Sequence, residues 1–151
     1  MKKILEIQSP DGHYHAAAWC LECIDDRFRN ALTELKRHKE WHSFDRTQWA
    51  GGAKELALDN PEQLTPIAEA ILGQLAISLK LHDAKEVALK VHEACGAYGE
   101  TMPKDRDEAL RFMEAELRKA AGVVHTFLEK QGTPRPVRLY AVTFDGVYEV
   151  E

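Results

Sequence analysis

Apolar residues in this chain form short runs, bounded by polar turns, that alternate with longer stretches of helical spacing. The short runs predict buried strands, and apolar residues at every third or fourth position predict amphipathic helices. Strands are therefore predicted over residues 15–24, 43–49, 86–91, 137–144 and 147–150. Helices are predicted over residues 28–39, 60–81 and 105–130.

Turn and capping residues give further support to this division. Asn60 followed by Pro61 is typical of a helix start, and Asp145-Gly146 between two apolar runs predicts a tight hairpin. Strands alternate with helices up to that hairpin, which favours parallel pairing. We predict an α/β fold in a single domain, residues 1–151: a mostly parallel sheet of about four strands flanked by helices, with a C-terminal antiparallel edge strand.

Composition and charge exclude several classes of partner. The chain has 151 residues, 44% hydrophobic and 30% charged, and a net charge of −5, which argues against a nucleic-acid or anionic-membrane partner. No apolar run approaches the about 18 residues of a membrane helix, and no signal-peptide core is visible, so we expect a cytoplasmic protein. Three cysteines fit reduced thiols in that compartment.

Three residues suited to zinc stand at predicted strand ends or just beyond them. Cys23 ends the first predicted strand, His92 follows the third, and Cys95 lies three residues further on. In a parallel sheet the carboxyl ends of the strands meet at one edge, so a common site is geometrically sensible. Two thiolates and an imidazole suit Zn²⁺, and three protein ligands leave a position for water or substrate. Taken singly, each residue is more simply a buried cysteine, a hydrogen-bonded histidine or a free thiol.

These ligands lie within three short motifs that occur in a characteristic order. The motifs are C-x-D-x-R at 23–27, A-G-G at 50–52 and H-x-x-C-G at 92–96. In this order they resemble the beta-class carbonic anhydrases, and the resemblance covers the chain from about residue 15 to the C-terminal hairpin. It implies Zn²⁺ held by Cys23, His92 and Cys95, and reversible hydration of carbon dioxide to bicarbonate by a zinc-bound hydroxide.

The same resemblance implies a catalytic pair, Asp25 and Arg27, beside the metal. An arginine can hold a carboxylate in a bidentate fork, which keeps it ionised and fixed. Asp25 would then accept the proton of the hydroxide and direct its lone pair at carbon dioxide; released by Arg27, it could move onto the metal and close the site. A surface salt bridge is the alternative interpretation, which the position of the pair beside Cys23 disfavours.

Two further functions stay open at this point. The same zinc site would suit a hydrolase of carbonyl sulfide or carbon disulfide, because hydroxide attacks each of these linear molecules. A non-catalytic zinc protein, with Asp25 permanently on the metal, is the other alternative.

The family builds its pocket at a subunit interface, so the resemblance also implies a homodimer or a higher even-numbered assembly. Gln48 and Tyr98 are candidates for the pocket wall.

Other chemically active residues are assigned more ordinary roles. Cys20 lies three positions before Cys23, so in a strand the two thiols would face opposite sides, and Cys20 is expected in the core. His38, His42 and His82 stand in polar surroundings. They are candidates for proton transfer, although surface histidines without such a role are the simpler interpretation.

Overall fold

The computed structural model describes residues 3–151 and contains a five-stranded sheet in the order β2-β1-β3-β4-β5. The strands are β1 (Ala18–Glu22), β2 (Phe44–Gln48), β3 (Glu86–His92), β4 (Val137–Thr143) and β5 (Gly146–Val150). The helices are α1 (Arg29–His38), α2 (Pro66–His82) and α3 (Arg106–Lys130). Strands β1 to β4 pair in parallel and β5 joins β4 antiparallel, which confirms the predicted fold class.

The two central strands, β1 and β3, are covered on both faces, which explains why their sequences are apolar without strict alternation. The larger core lies between one face of the sheet and helices α2 and α3, and includes Trp19, Leu89 and Met113. A smaller core lies on the other face beneath α1 and includes Leu32 and Tyr140. Because β1 and β3 run in parallel and in register, their carboxyl ends meet at the same edge of the sheet.

Cys20 belongs to the smaller core and is fully buried, as expected from its position in β1. Its burial raises the pKa of the thiol far above the usual range, because the ionised form would lose its hydration. Cys20 therefore lies on the face of the sheet beneath α1, whereas Cys23 packs against the larger core on the other face.

The prediction for the start of the second helix was wrong. Helix α2 begins at Pro66, and the hydroxyl of Thr65 accepts a hydrogen bond of 3.1 Å from the backbone N–H of Ala68. Asn60 instead accepts a bond of 3.0 Å from the backbone N–H of Glu62 in a turn. Two cap-proline pairs thus stand five residues apart, and only the second leads directly into the apolar face that packs on the sheet.

No helix within residues 3–151 is long and apolar enough to cross a membrane.

Candidate metal centre

Cys23, His92 and Cys95 come together at the carboxyl edge of the central strands. Cys23 directly follows β1, His92 is the last residue of β3, and Cys95 lies in the turn after it. Their candidate ligand atoms all lie within 4.8 Å of one another, and the two Sγ atoms are 3.9 Å apart. Zinc–sulfur bonds of about 2.3 Å in a tetrahedral site separate two sulfurs by about 3.8 Å. This group could hold a metal ion.

The orientation of the His92 ring leaves Nε2 as the nitrogen available to a metal ion. Its Nδ1 lies 2.8 Å from the backbone carbonyl oxygen of Glu93, so Nδ1 carries the proton and donates it to that carbonyl. Its Nε2 is buried and has no hydrogen-bond partner among the described residues. Burial lowers the pKa of His92, which keeps the imidazole neutral and its Nε2 lone pair available. A neutral ring fixed by its second nitrogen is the usual state of a metal-binding histidine.

Backbone N–H groups point at both thiols. The N–H of Gly51 donates to Cys23 Sγ over 3.3 Å, and the N–H of Ala97 faces the Cys95 thiol, whereas the N–H of Tyr98 donates to the Cys95 carbonyl oxygen over 3.1 Å. Burial nevertheless raises the pKa of Cys95, and the neighbouring sulfur of Cys23 raises it further. A cation bound between the sulfurs would remove both costs, so the donor set fits a soft divalent ion such as Zn²⁺.

Asp25 and Arg27 form a bidentate pair beside these ligands. Arg27 Nη2 donates to Asp25 Oδ2 over 2.6 Å, and Arg27 Nε donates to Oδ1 over 3.0 Å. These bonds lower the pKa of Asp25 to about 2, so the carboxylate is ionised at any pH near neutrality. Asp25 Oδ2 lies 3.9 Å from His92 Nε2, which brings the charged group next to the three ligands.

Arg27 also connects the two segments that carry the ligands. Its Nη2 donates to the backbone carbonyl of Ala94 over 3.2 Å. Ala94 has a left-handed backbone with φ of 51°, which is unusual for a residue with a side chain. The strained turn reverses the chain between His92 and Cys95. Arg27 therefore fixes the position of Asp25 and braces the turn that delivers Cys95.

Aromatic rings that sequence reasoning missed pack against this centre. The ring of Phe28 stacks on His92 with a centroid distance of 4.2 Å and an interplanar angle of 30°. Phe144 lies 5.0 Å from Phe28, and the Arg27 guanidinium carbon lies 5.7 Å and 5.6 Å from these two rings. Phe28 directly follows the C-x-D-x-R motif, and that proximity was the available signal. Phe144 directly follows β4 and is far from all three motifs in sequence.

A buried ion pair lies next to the candidate ligands in sequence: Glu22 directly precedes Cys23, and Lys90 lies two residues before His92. Glu22 and Lys90 are 3% and 4% exposed, and Lys90 donates to Glu22 across β1 and β3. Arg46 reaches Glu22 from β2, so three adjacent strands share one carboxylate. Glu22 and Lys90, charged residues within mainly apolar strands, were the sequence signal for this network. The pair ties together the strand ends that hold Cys23 and His92.

Gly52 packs its backbone closely against the strand ends that carry Cys23 and His92. It has a left-handed backbone with φ of 62°, and a Cβ there would overlap the carbonyl oxygen of Lys90 and lie 3.2 Å from the Cys23 nitrogen. The A-G-G motif therefore packs backbone against the ends of both central strands. Only glycine fits at this position without moving β3.

Gly52→Ala is expected to destabilise the chain by about 2 kcal/mol or more, because the methyl group meets backbone atoms that cannot move aside. Gly96→Ala is the matched control, since a Cβ at Gly96 meets nothing within 4 Å. Urea denaturation of both variants measures the difference. Equal stability of Gly52→Ala and the wild type would contradict the close approach described here.

The remaining candidates from sequence lie apart from the centre. His82 stands at the end of α2, where its Nδ1 lies 2.8 Å from Asp45 near the start of β2, at the opposite edge of the sheet. His38 and His42 are exposed. For His82, its position and its carboxylate partner explain why it does not reach the ligands.

The two pocket-wall candidates differ in their surroundings. Gln48 is exposed at the end of β2. Tyr98 is buried three residues beyond Cys95, and its ring meets Phe112 edge to face at 5.1 Å. Tyr98 thus supports the turn that carries Cys95.

Comparison with known proteins identifies solved structures that share this fold. No protein-family model matches the chain, and no curated protein is similar to it in sequence. A tetrameric beta-carbonic anhydrase of Sordaria macrospora is similar in structure, with a TM-score of 0.53 and 11% identity over 92% of this chain and 82% of that one. Carbonic anhydrase from Glaciozyma antarctica has a TM-score of 0.53 and 14% identity over 92% and 84% of the two chains.

A beta-carbonic anhydrase of Trichomonas vaginalis is a third structural neighbour, with a TM-score of 0.52 and 16% identity over 95% of this chain and 87% of that one. Identities this low establish a shared fold and nothing finer. The chain therefore has the beta-carbonic anhydrase fold, with a Cys-His-Cys group that could hold a metal at the carboxyl edge of its sheet.

Proposed function

We propose that residues 1–151 form a single zinc domain that catalyses the reversible hydration of carbon dioxide to bicarbonate. The observation that carries the proposal is the position of Asp25, which is ionised and held by Arg27 beside Cys23, His92 and Cys95. A structural zinc site has no use for a carboxylate that is kept off the metal. The fold shared with carbonic anhydrases gives independent support.

Zn²⁺ is the metal that this donor set favours. Cys23 and Cys95 supply thiolates, and His92 supplies Nε2, which has no other partner among the described residues. When bound, zinc supplies Lewis acidity that makes water a nucleophile near neutral pH. Three protein ligands leave the fourth position to water or substrate.

Asp25 would orient the water that enters the site. A carboxylate with a pKa of about 2 stays ionised and can only accept a hydrogen bond, so a water or hydroxide beside it would donate an O–H hydrogen bond to Asp25 and keep that proton. That bond fixes the direction of the remaining oxygen lone pair toward carbon dioxide. Arg27 holds both carboxylate oxygens, which favours an open site over the alternative in which Asp25 binds the metal.

Carbon dioxide offers few polar groups to a protein, so its binding needs an apolar wall near the metal. Phe28, stacked on the ring of His92, supplies such a wall.

We further propose a homodimer or a higher even-numbered assembly. This part of the proposal rests on the exposed apolar residues of the chain and on the tetrameric neighbour from Sordaria macrospora.

A substrate panel tests the assignment of the reaction. Zinc-loaded protein is assayed in parallel for carbon dioxide hydration and for hydrolysis of carbonyl sulfide and carbon disulfide. We expect hydration to be fastest by at least about tenfold, which is roughly 1.4 kcal/mol of transition-state preference. Faster hydrolysis of either sulfur compound would contradict carbon dioxide as the substrate and would remain consistent with the proposed zinc site. No reaction with any of the three would contradict the proposed catalysis.

Zinc affinity is expected to fall steeply as the pH falls. Thiols must lose their protons to bind zinc, and burial raises the pKa of Cys95, so protons compete for the site at neutral pH. Two thiols releasing two protons would weaken binding by up to about a hundredfold for each pH unit. The pKa of His92 is lowered, so its ring is already neutral above about pH 6.5 and adds nothing there. Competition with a chromophoric chelator at several pH values measures this slope; a flat profile would contradict thiol ligation.

A further inference from the structure

The outer face of α2 carries a stripe of exposed, mostly apolar side chains. Its positions are Ile67, Ala70, Gln74, Ile77 and Leu81, spaced alternately by three and four residues. The opposite face, with Ile71 and Leu75, is buried against the sheet. The helix is therefore apolar on two sides, whereas a helix with one free face is normally polar there.

Exposure along this α2 stripe is large for aliphatic side chains. Ile67 is 39% exposed, Ile77 is 50% exposed and Leu81 is 52% exposed. Ala70 and Gln74 are also exposed, so no charged residue interrupts the stripe. A spacing of three and four residues is the pattern by which one helix packs along another.

Gly73 lies at the edge of the α2 stripe, and no contact among the described residues requires a glycine there. A Cβ at this position would meet nothing within 4 Å, and its φ is not left-handed. Glycine weakens a helix interior relative to alanine, so its presence here has a cost that no internal contact explains. A glycine facing open space allows a second helix to approach closely.

We propose that the α2 stripe is a homodimer interface on which α2 of a second copy packs antiparallel. This inference rests on the even-numbered assembly proposed above and is independent of the zinc chemistry. In an antiparallel pair related by a twofold axis, Gln74 of the two copies lies near the centre, and Ile67 of each copy meets Leu81 of the other. Gly73 of one copy then faces Gly73 of the other on one flank of the pair.

Charges on that flank select the antiparallel orientation. Glu69 and Lys80 are exposed on the same side of the stripe as Gly73, and within residues 3–151 neither forms an ion pair. The antiparallel pair brings Glu69 of each copy close to Lys80 of the other. A parallel pair would leave these charges about 16 Å apart along the axis, given a rise of about 1.5 Å per residue.

The N-terminal segment enters the fold at one end of the α2 stripe and carries further exposed apolar residues. The backbone N–H of Ala16 donates to the carbonyl of His82 over 2.8 Å, so the chain enters the fold beside the Leu81 end of the stripe. Ile4 and Ile7 in this segment are 92% and 73% exposed. The stripe spans about 21 Å from Ile67 to Leu81, which is short for an interface of about 1,600 Å², so the proposed interface also includes exposed apolar side chains of the N-terminal segment.

Sedimentation velocity on matched variants tests the interface. Ala70→Glu places a charge within the stripe, and Ala115→Glu makes the same change at an exposed position of α3. We expect the wild type and Ala115→Glu to be dimers, or larger even assemblies, at micromolar concentration. Ala70→Glu and Ile77→Glu should raise the dissociation constant by at least about tenfold, with circular dichroism unchanged. A monomeric wild type would overturn the proposal and leave the chain's own N-terminal segment, or a different protein, as the occupant.

Charge reversal tests the orientation. Glu69→Lys and Lys80→Glu should each weaken association, because each places like charges opposite one another across the pair. The double variant should recover wild-type association, since the pairs are restored with exchanged signs. Association unchanged in all the stripe variants would overturn the interface. Zinc content and hydration rate are measured on the same samples, so loss of metal chemistry without loss of association would contradict the proposed function alone.

Discussion

Replacing Cys95 by alanine is expected to leave less than about a tenth of a zinc ion per purified chain. The variant loses one of only two thiolates, and the remaining Cys23 and His92 cannot compete with cellular ligands for the ion. His92→Ala should have the same effect, because Nε2 of this ring has no other function among the described contacts. Elemental analysis by mass spectrometry measures zinc per chain directly.

Cys20→Ala is the matched control for the loss of a thiol. Cys20 is also a buried cysteine, but it faces the core beneath α1. This control should keep one zinc ion per chain, with some loss of stability from the smaller side chain. Full zinc occupancy in both Cys95→Ala and His92→Ala would remove these residues from the metal site.

Arg27→Ala is expected to lower the rate of carbon dioxide hydration by about a hundredfold or more and to leave zinc bound. Arg27 contacts Asp25 and the carbonyl of Ala94 and lies outside the group of three ligands. Without it, Asp25 is free to move onto the metal and the turn before Cys95 loses a brace. Arg27→Lys should recover little activity, because an ammonium group cannot hold a carboxylate in a bidentate fork.

Arg29→Ala provides the control for loss of a positive charge. Arg29 pairs with exposed Asp26, and its side chain is 65% exposed. Its removal should change the hydration rate by less than about twofold, since an exposed pair of this kind contributes little. Stopped-flow rates, each divided by measured zinc content, give the comparison. Near-normal turnover in Arg27→Ala would show that the Asp25–Arg27 pair is only structural.

The order of strands and helices was readable from sequence because each element follows one simple pattern. In β3 the residues from Val87 to Val91 are apolar except for Lys90, and the Asp145-Gly146 turn directly predicts the hairpin between β4 and β5. The start of α2 was misplaced because Asn60-Pro61 and Thr65-Pro66 carry the same local signal. Only packing on the sheet distinguishes them, and packing is not a local property.

The convergence of Cys23, His92 and Cys95 was predictable for a different reason. Cys23 and His92 stand at the ends of parallel strands, and parallel pairing alone brings such positions to one edge. The contacts around them were not predictable. The stacking of Phe28 on His92 and the left-handed turn at Ala94 depend on three-dimensional positions that no spacing rule encodes. The ion pair of Lys90 could not be predicted from local sequence, because its partner Glu22 lies in another strand.

Stopped-flow measurement of carbon dioxide hydration, on protein carrying one zinc ion per chain, tests the central claim most directly. The account predicts that the zinc-loaded protein accelerates hydration by several orders of magnitude over the same protein after chelation. It also predicts that zinc added back restores the rate. Hydration no faster with zinc than without it would contradict the claim that Cys23, His92 and Cys95 form the centre of a carbonic anhydrase.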